Sequence, residues 1–371
     1  MIRSLSVSLV FLLGLAVAAC SPRGYVSMGS ESAALAAGGS LQTIFVATDR
    51  VFDQSAEIYG NDRIEDAGFA RFTVSIPPER AAGSIEWPRG QPDFQTEFVT
   101  VEAAKLPEPN FFRALDAQLA QLPRGEREIV LFIHGFNTNY PEAFYRQAQM
   151  MHDFGVRGVG VTYAWASAGS AFGYVHDRDS VLYARDSLSQ LIEQLQRTRA
   201  EEILIVAHSM GGLLTVETLR TLALRGNGGS WGKLGAVILI SPDIAVDVFR
   251  TQARDIGTLP QPFVIFTSNQ DRALALSAGL SGQRDRLGSL PSVDPIDEFE
   301  VTLINLTEIE GGDPLRHMTA VTSPASIAIL NQINDFSRTM AAEQIDRRGL
   351  LPGTVLSIRN ATEVIIDPLQ P

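Results

Sequence analysis

The sequence predicts an α/β protein: a mostly parallel, doubly wound sheet of about eight strands with an antiparallel start. Three observations carry this. From Glu128 onward, short apolar runs alternate with segments of helical periodicity, which implies a parallel sheet covered by helices on both faces. Before Glu128, β-like runs follow one another across Asp-, Gly- and Pro-containing turns. Between Ile203 and Leu219 an apolar run becomes a helix within a few residues, a strand-to-helix switch that needs a very tight turn.

In chain order, the antiparallel start is read at Leu41–Ala47, Phe69–Ile76 and Glu97–Val101. A helix follows over Asn110–Leu122 and stops at Pro123. The alternating strands are Ile129–Ile133, Gly158–Tyr163, Ile203–Ala207, Ala236–Ile240, Phe263–Thr267 and Phe299–Leu306. The helices are read at Pro141–Phe154, Asp177–Arg199, Leu213–Arg225, Val246–Ile256, Arg272–Gly279 and Pro324–Met340. Residues 41–342 form one domain on this reading. The segment 277–295 reads as a surface loop, and 343–371 as a tail with strand-like runs at Thr354–Ile358 and Glu363–Ile366.

Ligands of such sheets bind at the C-terminal strand ends, so the residues just after each strand are the ones to inspect. After Ile203–Ala207 comes His208-Ser209-Met210-Gly211-Gly212. Small residues two before and two after Ser209, namely Ala207 and Gly211, permit a turn that lifts the serine hydroxyl above the sheet edge and aims a helix N-terminus at it. The bland alternative is a serine N-cap on an ordinary turn. After Ile129–Ile133 comes His134-Gly135-Phe136-Asn137, a loop of the type that supplies one amide of an oxyanion hole. The candidate donors are the N–H groups of Phe136 and Met210. His134 is expected to be structural and Asn137 to bond within its loop. Trp165 and Gly135 are the candidate lining of a substrate pocket, with Trp165 in the core as the alternative.

After Ala236–Ile240 comes Asp243, and after Phe263–Thr267 comes Asp271. The polar loop Gly311–His317 carries the only histidine in the last third of the chain. A base must reach the serine while its other nitrogen is held by a carboxylate. His317 is therefore the candidate base and Asp271 the candidate acid, with Asp243 as the alternative. Helix capping would explain either aspartate without chemistry.

These residues resemble an α/β hydrolase, and more narrowly the α/β hydrolases of unknown function grouped as DUF900, which are esterase/lipase-like. The resemblance rests on HGFN at 134–137, Trp-x-Ser-x-Gly at 165–169, AHSMGG at 207–212, SPD at 241–243, Asp271-Arg272-Ala273-Leu274 and the His317 loop. It implies an α/β-hydrolase fold and a serine hydrolase for carboxylic esters, working through Ser209, Asp271 and His317. The departure is Ala207 in place of the first elbow glycine. The rival readings are a catalytically inactive, envelope-anchored binding module on the same fold, and an acyltransferase using the same triad.

The 371-residue chain carries a formal net charge of -12, which argues against nucleic acid and against electrostatic attachment to anionic lipid. No metal-ligand cluster or phosphate-binding loop is read, and no cofactor is expected. Residues 1–19 have a basic start and a short apolar stretch, and end in Val17-Ala18-Ala19-Cys20. This resembles a bacterial lipobox. Cys20 is the single cysteine of the chain, so the resemblance implies a signal peptide, lipidation of Cys20 and anchoring by acyl chains. Ser21 in the next position favours the outer membrane, facing the periplasm. Residues 21–40, rich in Gly, Ser and Ala, are expected to be a flexible tether. The expected substrate is a small-molecule or lipid ester.

Overall fold

The computed structural model describes residues 23–227, 231–282, 285–331, 354–358 and 360–366. The expected signal peptide, Cys20 and the second half of the Pro324–Met340 helix lie outside the described residues; residues 324–331 are helical. The strands are β1 (Ser40–Asp53), β2 (Ile58–Ile76), β3 (Val99–Lys105), β4 (Glu128–Ile133), β5 (Val159–Tyr163), β6 (Glu202–His208), β7 (Leu234–Ile240), β8 (Phe263–Thr267), β9 (Thr302–Asn305), β10 (Thr354–Ile358) and β11 (Ala361–Ile365). The helices are α1 (Glu31–Ala36), α2 (Glu108–Gln121), α3 (Tyr140–Asp153), α4 (Tyr174–Leu195), α5 (Met210–Leu222), α6 (Val246–Ile256), α7 (Arg272–Ser281) and α8 (Thr319–Thr322).

The eleven strands among the described residues form one sheet, in the order β10-β11-β9-β8-β7-β6-β4-β5-β1-β2-β3. From β1 through β5, β4, β6, β7, β8 and β9 to β11, neighbours are parallel. The β1–β2 and β2–β3 pairs are antiparallel, as is β10–β11. This is the α/β-hydrolase fold, with a sheet wider than the eight strands expected.

Alternation along β4 shows how the apolar runs are used. Ile129, Leu131 and Ile133 point into the core shared with α2, α4, α5 and α6. Val130 and Phe132 point the other way, toward α3. A strand buried on both faces has no polar side to show, which is why these strands read as continuous apolar runs.

Three expectations are corrected. The first is the tether. From Arg23 onward the chain is docked: Arg23 pairs with Glu142 at 2.9 Å, Gly24 N–H donates to the same carboxylate, and α1 and β1 follow directly. The small residues there serve close packing, not flexibility. A Cβ at Gly24 would lie 2.6 Å from Trp87, and one at Gly29 2.6 Å from Phe94. Second, the tail beyond residue 343 is not separate from the domain, because β11 pairs with β9 and extends the sheet. Third, the 277–295 segment is not a surface loop. Helix α7 runs to Ser281, and Arg286, Leu287 and Gly288 are buried. Gly288 bonds the strand-end loops through Ser268 N–H and the Pro242 carbonyl.

Candidate active site

The strand β6 ends at His208 and α5 begins at Met210, so Ser209 alone makes the turn. It does so at φ 53°, ψ −120°, a left-handed conformation that costs a non-glycine residue about 1–3 kcal/mol and persists only where the surroundings enforce it. They do. Ser209 N–H donates to the Ile240 carbonyl at 2.9 Å, and the Ser209 carbonyl accepts from Asp243 N–H at 3.2 Å. A Cβ at Gly211 would lie 2.3 Å from the His134 carbonyl oxygen, so only glycine lets α5 start this close to the loop after β4. Gly135 has the same role from the other side: a Cβ there would lie 2.6 Å from His208 Nδ1 and 2.9 Å from Ser209 Cβ. Its smallness serves the elbow rather than a pocket wall. The N-cap alternative for Ser209 fails, because its side chain accepts no capping bond.

Among the described residues, neither the Phe136 nor the Met210 amide donates to an intramolecular acceptor. Met210 is the first residue of α5, where the backbone donors point away from the helix. Phe136 is half-buried and its ring packs edge-on against Tyr174.

The loop that carries Phe136 is fixed from below. Asp177, fully buried in the first turn of α4, accepts from Asn137 N–H (3.2 Å), Ser167 Oγ (2.6 Å) and Ala168 N–H (2.6 Å). It laces the two strand-end loops together. The buried Arg50 guanidinium donates to the carbonyls of Gly60, Thr138, Ala164 and Ser167 and to the Asn61 side chain. Burial lowers its pKa to about 10, which leaves it charged. No motif marks Arg50 in the sequence. The one available signal was that β1 carries an Asp-Arg pair at 49–50 inside an otherwise apolar run.

Trp165 is fully buried, stacked on His134 at 5.0 Å, and its indole N–H donates to the His134 carbonyl. It belongs to the core and cannot line a substrate pocket. His134 lies with its two ring nitrogens 2.9 and 3.1 Å from the Gly135 and Trp165 carbonyls. Burial, with the Arg50 charge behind it, pushes its pKa down to about 3. The ring is neutral and structural. Asn137 accepts from Arg23 through both its carbonyl and side-chain oxygens.

His317 Nδ1 lies 2.7 Å from Asp271 Oδ2. The other oxygen of Asp271 caps α7 by accepting from Leu274 N–H at 2.9 Å, so capping and holding the histidine are both true of one carboxylate. Burial draws the His317 pKa down, but the Asp271 charge and hydrogen bond, with Asp313 and Asp243 beyond, leave it above the ordinary histidine value. Asp313 shapes the loop by accepting from the backbone amides of Leu315, His317 and Met318. Asp243, the alternative acid, is committed elsewhere: it accepts from Tyr174 Oη (3.0 Å) and Ser277 Oγ (2.7 Å) and pairs with buried Arg286 at 3.3 Å.

His208, passed over in the sequence although it immediately precedes Ser209, joins the elbow to this loop. Its Nε2 lies 3.3 Å from the His317 carbonyl, and the two rings meet edge-on at 4.5 Å. Burial holds His208 well below the ordinary histidine pKa, so it is neutral, with a single N–H for that carbonyl. Ser209, His317 and Asp271 are thus brought to one strand-end rim. Among the described residues the Ser209 hydroxyl has no hydrogen-bond partner, as is common in resting sites whose contacts close on substrate. A separate cleft of about 580 Å³ opens at the opposite edge, at the starts of β4 and β6, beside Arg127, Glu201 and Lys233. It is away from these side chains and from the strand ends where such sheets bind ligands.

The fold and this rim define the class: an α/β hydrolase. Residues 113–333 match the family described as "Alpha/beta hydrolase of unknown function (DUF900)", and the chain belongs to that family. No curated protein matches the sequence. Among solved structures, the chain is similar to one of two fungal esterases from Rhizomucor miehei, at 13% identity over 85% of this chain and 90% of the other, with a TM-score of 0.35. It is also similar to esterase B from Lactobacillus rhamnosis, at 16% identity over 61% of this chain and 81% of that one, with a TM-score of 0.36. A third is Thermogutta terrifontis esterase 2 phosphoramylated by tabun, at 11% identity over 84% and 97% of the two chains, with a TM-score of 0.33. At these identities no residue role passes from them to this chain.

Proposed function

We propose that the protein is a serine hydrolase of carboxylic esters, acting through an acyl-enzyme on Ser209. The observation that supports this most is a non-glycine residue held at φ 53° at the sheet's C-terminal edge, beside a half-buried histidine held by a buried carboxylate. A serine that only packed or capped would gain nothing from that strain.

In this reading Ser209 Oγ attacks the ester carbonyl as His317 Nε2 takes its proton. Nδ1 is the protonated nitrogen of the neutral ring, because it faces the Asp271 carboxylate at 2.7 Å; Nε2 is therefore free to act as base. Asp271 stabilises the imidazolium that forms. The unengaged amides of Phe136 and Met210 donate to the developing oxyanion, each contributing about 2.7–4 kcal/mol in the transition state. Collapse of the tetrahedral intermediate breaks the C–O bond, and the proton on His317 leaves with the alcohol. Water then attacks the acyl-enzyme, giving up its proton to His317, and as the bond to Ser209 Oγ breaks and the acid leaves, His317 returns that proton to Ser209. Asp177 and Arg50 position the loop that carries Phe136.

The lipidated Cys20 and envelope location implied by the N-terminal sequence are part of this proposal. A panel of esters of increasing acyl length tests the activity. Turnover should fall by on the order of 10⁴-fold or more in Ser209→Ala. A variant that retains full turnover would dismiss Ser209 as nucleophile.

A further inference from the structure

Arg23 is fastened to the rim of the candidate site. Arg23 donates to both oxygens of Asn137, the neighbour of Phe136, and pairs with Glu142. Glu142 is the capping-box residue of α3. Gly24 is held on both sides, its N–H by Glu142 and its carbonyl by Asn139. A Cβ at Gly169 would lie 3.3 Å from the Arg23 guanidinium, which places Arg23 against the 168–173 loop as well.

Only two residues, Ser21 and Pro22, separate Arg23 from Cys20, a span of three Cα–Cα steps. Fully extended, they reach about 10 Å. A lipid on Cys20 would therefore hold this rim, and not some other face of the domain, close to the bilayer surface. A long flexible tether would have imposed no orientation.

Several apolar side chains are exposed on this rim. Phe172 is 84% exposed and Val175 75%, on either side of Tyr174. On α7, Leu280 is 61% exposed, and Leu276 sits one turn before it on the same face. Leu315, in the His317 loop, is exposed too, and its carbonyl accepts from the first amide of α7. Tyr174 and Ser277 both bond Asp243, so the 172–175 stretch and α7 flank one site. Exposed apolar side chains gathered around a candidate active site mark an interaction surface.

We propose that this rim faces and dips into the membrane to which Cys20 is tied, and that the substrate is an ester-bearing lipid drawn from that bilayer. This rests on the hydrolase reading for its chemistry and on a lipidated Cys20 for its geometry. The orientation can be measured without turnover, so failure of one claim is distinguishable from failure of the other.

The test uses the full-length protein, purified with its lipid and reconstituted in vesicles of phosphatidylethanolamine and phosphatidylglycerol. The native chain has one cysteine, Cys20, so Phe172→Cys and Arg124→Cys each add one labelling site for an environment-sensitive fluorophore. Arg124 is exposed and lies before β4, at the opposite edge of the sheet. The emission at position 172 should shift to the blue and be quenched by spin-labelled lipid, while that at 124 should not change. A probe at 172 that stays in water, or one at 124 that enters lipid, would overturn the proposal, whether or not the protein hydrolyses esters. In a second arm, Val175→Ser with Leu280→Ser should lower the ratio of vesicle-ester to soluble butyrate-ester turnover by about tenfold. An unchanged ratio would remove the lipid substrate while leaving the hydrolase reading in place.

Discussion

His208 and His317 meet edge-on at 4.5 Å, with the His208 ring nitrogen 3.3 Å from the His317 backbone carbonyl. The residue before the proposed nucleophile thereby holds the backbone of the proposed base. Two strand-end loops more than a hundred residues apart in sequence are registered against each other by this contact. Both rings cannot be charged at this distance, and burial keeps His208 neutral.

His208 is a positioning residue on this account. Replacing it with alanine removes the contact and leaves the His317 carbonyl unpaired. The expected result is a fall in kcat of about tenfold with little change in KM, because the loss concerns alignment in the transition state. His208→Asn, which keeps a donor, should recover part of it. Steady-state kinetics on the three proteins, with circular dichroism to confirm folding, would check this.

The pH dependence follows from His317. Its base form is needed, and its pKa is raised above 6.5 by Asp271. The rise of kcat/KM with pH should therefore have its midpoint above 6.5. In Asp271→Asn the charge is gone while burial remains, so the midpoint should move to lower pH and the maximal rate should fall by on the order of 10⁴-fold. The sign for stability is opposite to that for activity. A histidine with a raised folded pKa contributes stability that is full below its unfolded value and is lost as pH rises through the folded one. A pH series of kcat/KM and Tm in both proteins would separate the two effects.

Asp49 gives a further test, away from the chemistry. Its carboxyl is buried, and burial raises its pKa to about 6 even with Arg50 adjacent and the Asp49 and Ala166 amides favouring the charged form. For a carboxyl raised this way the cost is absent below the unfolded pKa, grows with pH, and is complete above about 6. Ionising it inside the fold costs on the order of 3 kcal/mol. Asp49→Asn should therefore raise Tm clearly at pH 8 and little at pH 4. Thermal denaturation at the two pH values checks the difference.

Much of the fold was legible because its signals are local. The apolar runs of β4, β6 and β8 and the periodicity of α3 and α6 fall within a few residues of where the pattern put them. The Ala207–Gly211 spacing announced the turn at Ser209. What sequence could not show is what distant segments do to each other. Gly24 and Gly29 read as flexible, since nothing local says that Trp87 and Phe94 will press on them. Trp165 could be placed at a strand end, but its burial depends on His134 stacking over it. The choice between Asp271 and Asp243 needed the third dimension, where Ser277, Tyr174 and Arg286 occupy Asp243. The runs Thr354–Ile358 and Glu363–Ile366 read as strand-like, but their place at the far side of the sheet comes only from the pairing of β11 with β9.

Whether Ser209 is an activated nucleophile is measured by covalent labelling of the intact protein with a fluorophosphonate, followed by mass mapping of the adduct. The expected result is one adduct on Ser209, absent in Ser209→Ala and strongly slowed in His317→Ala. A well-folded protein that takes no label, or takes it on another residue, would contradict the account and point to a binding module built on a hydrolase fold.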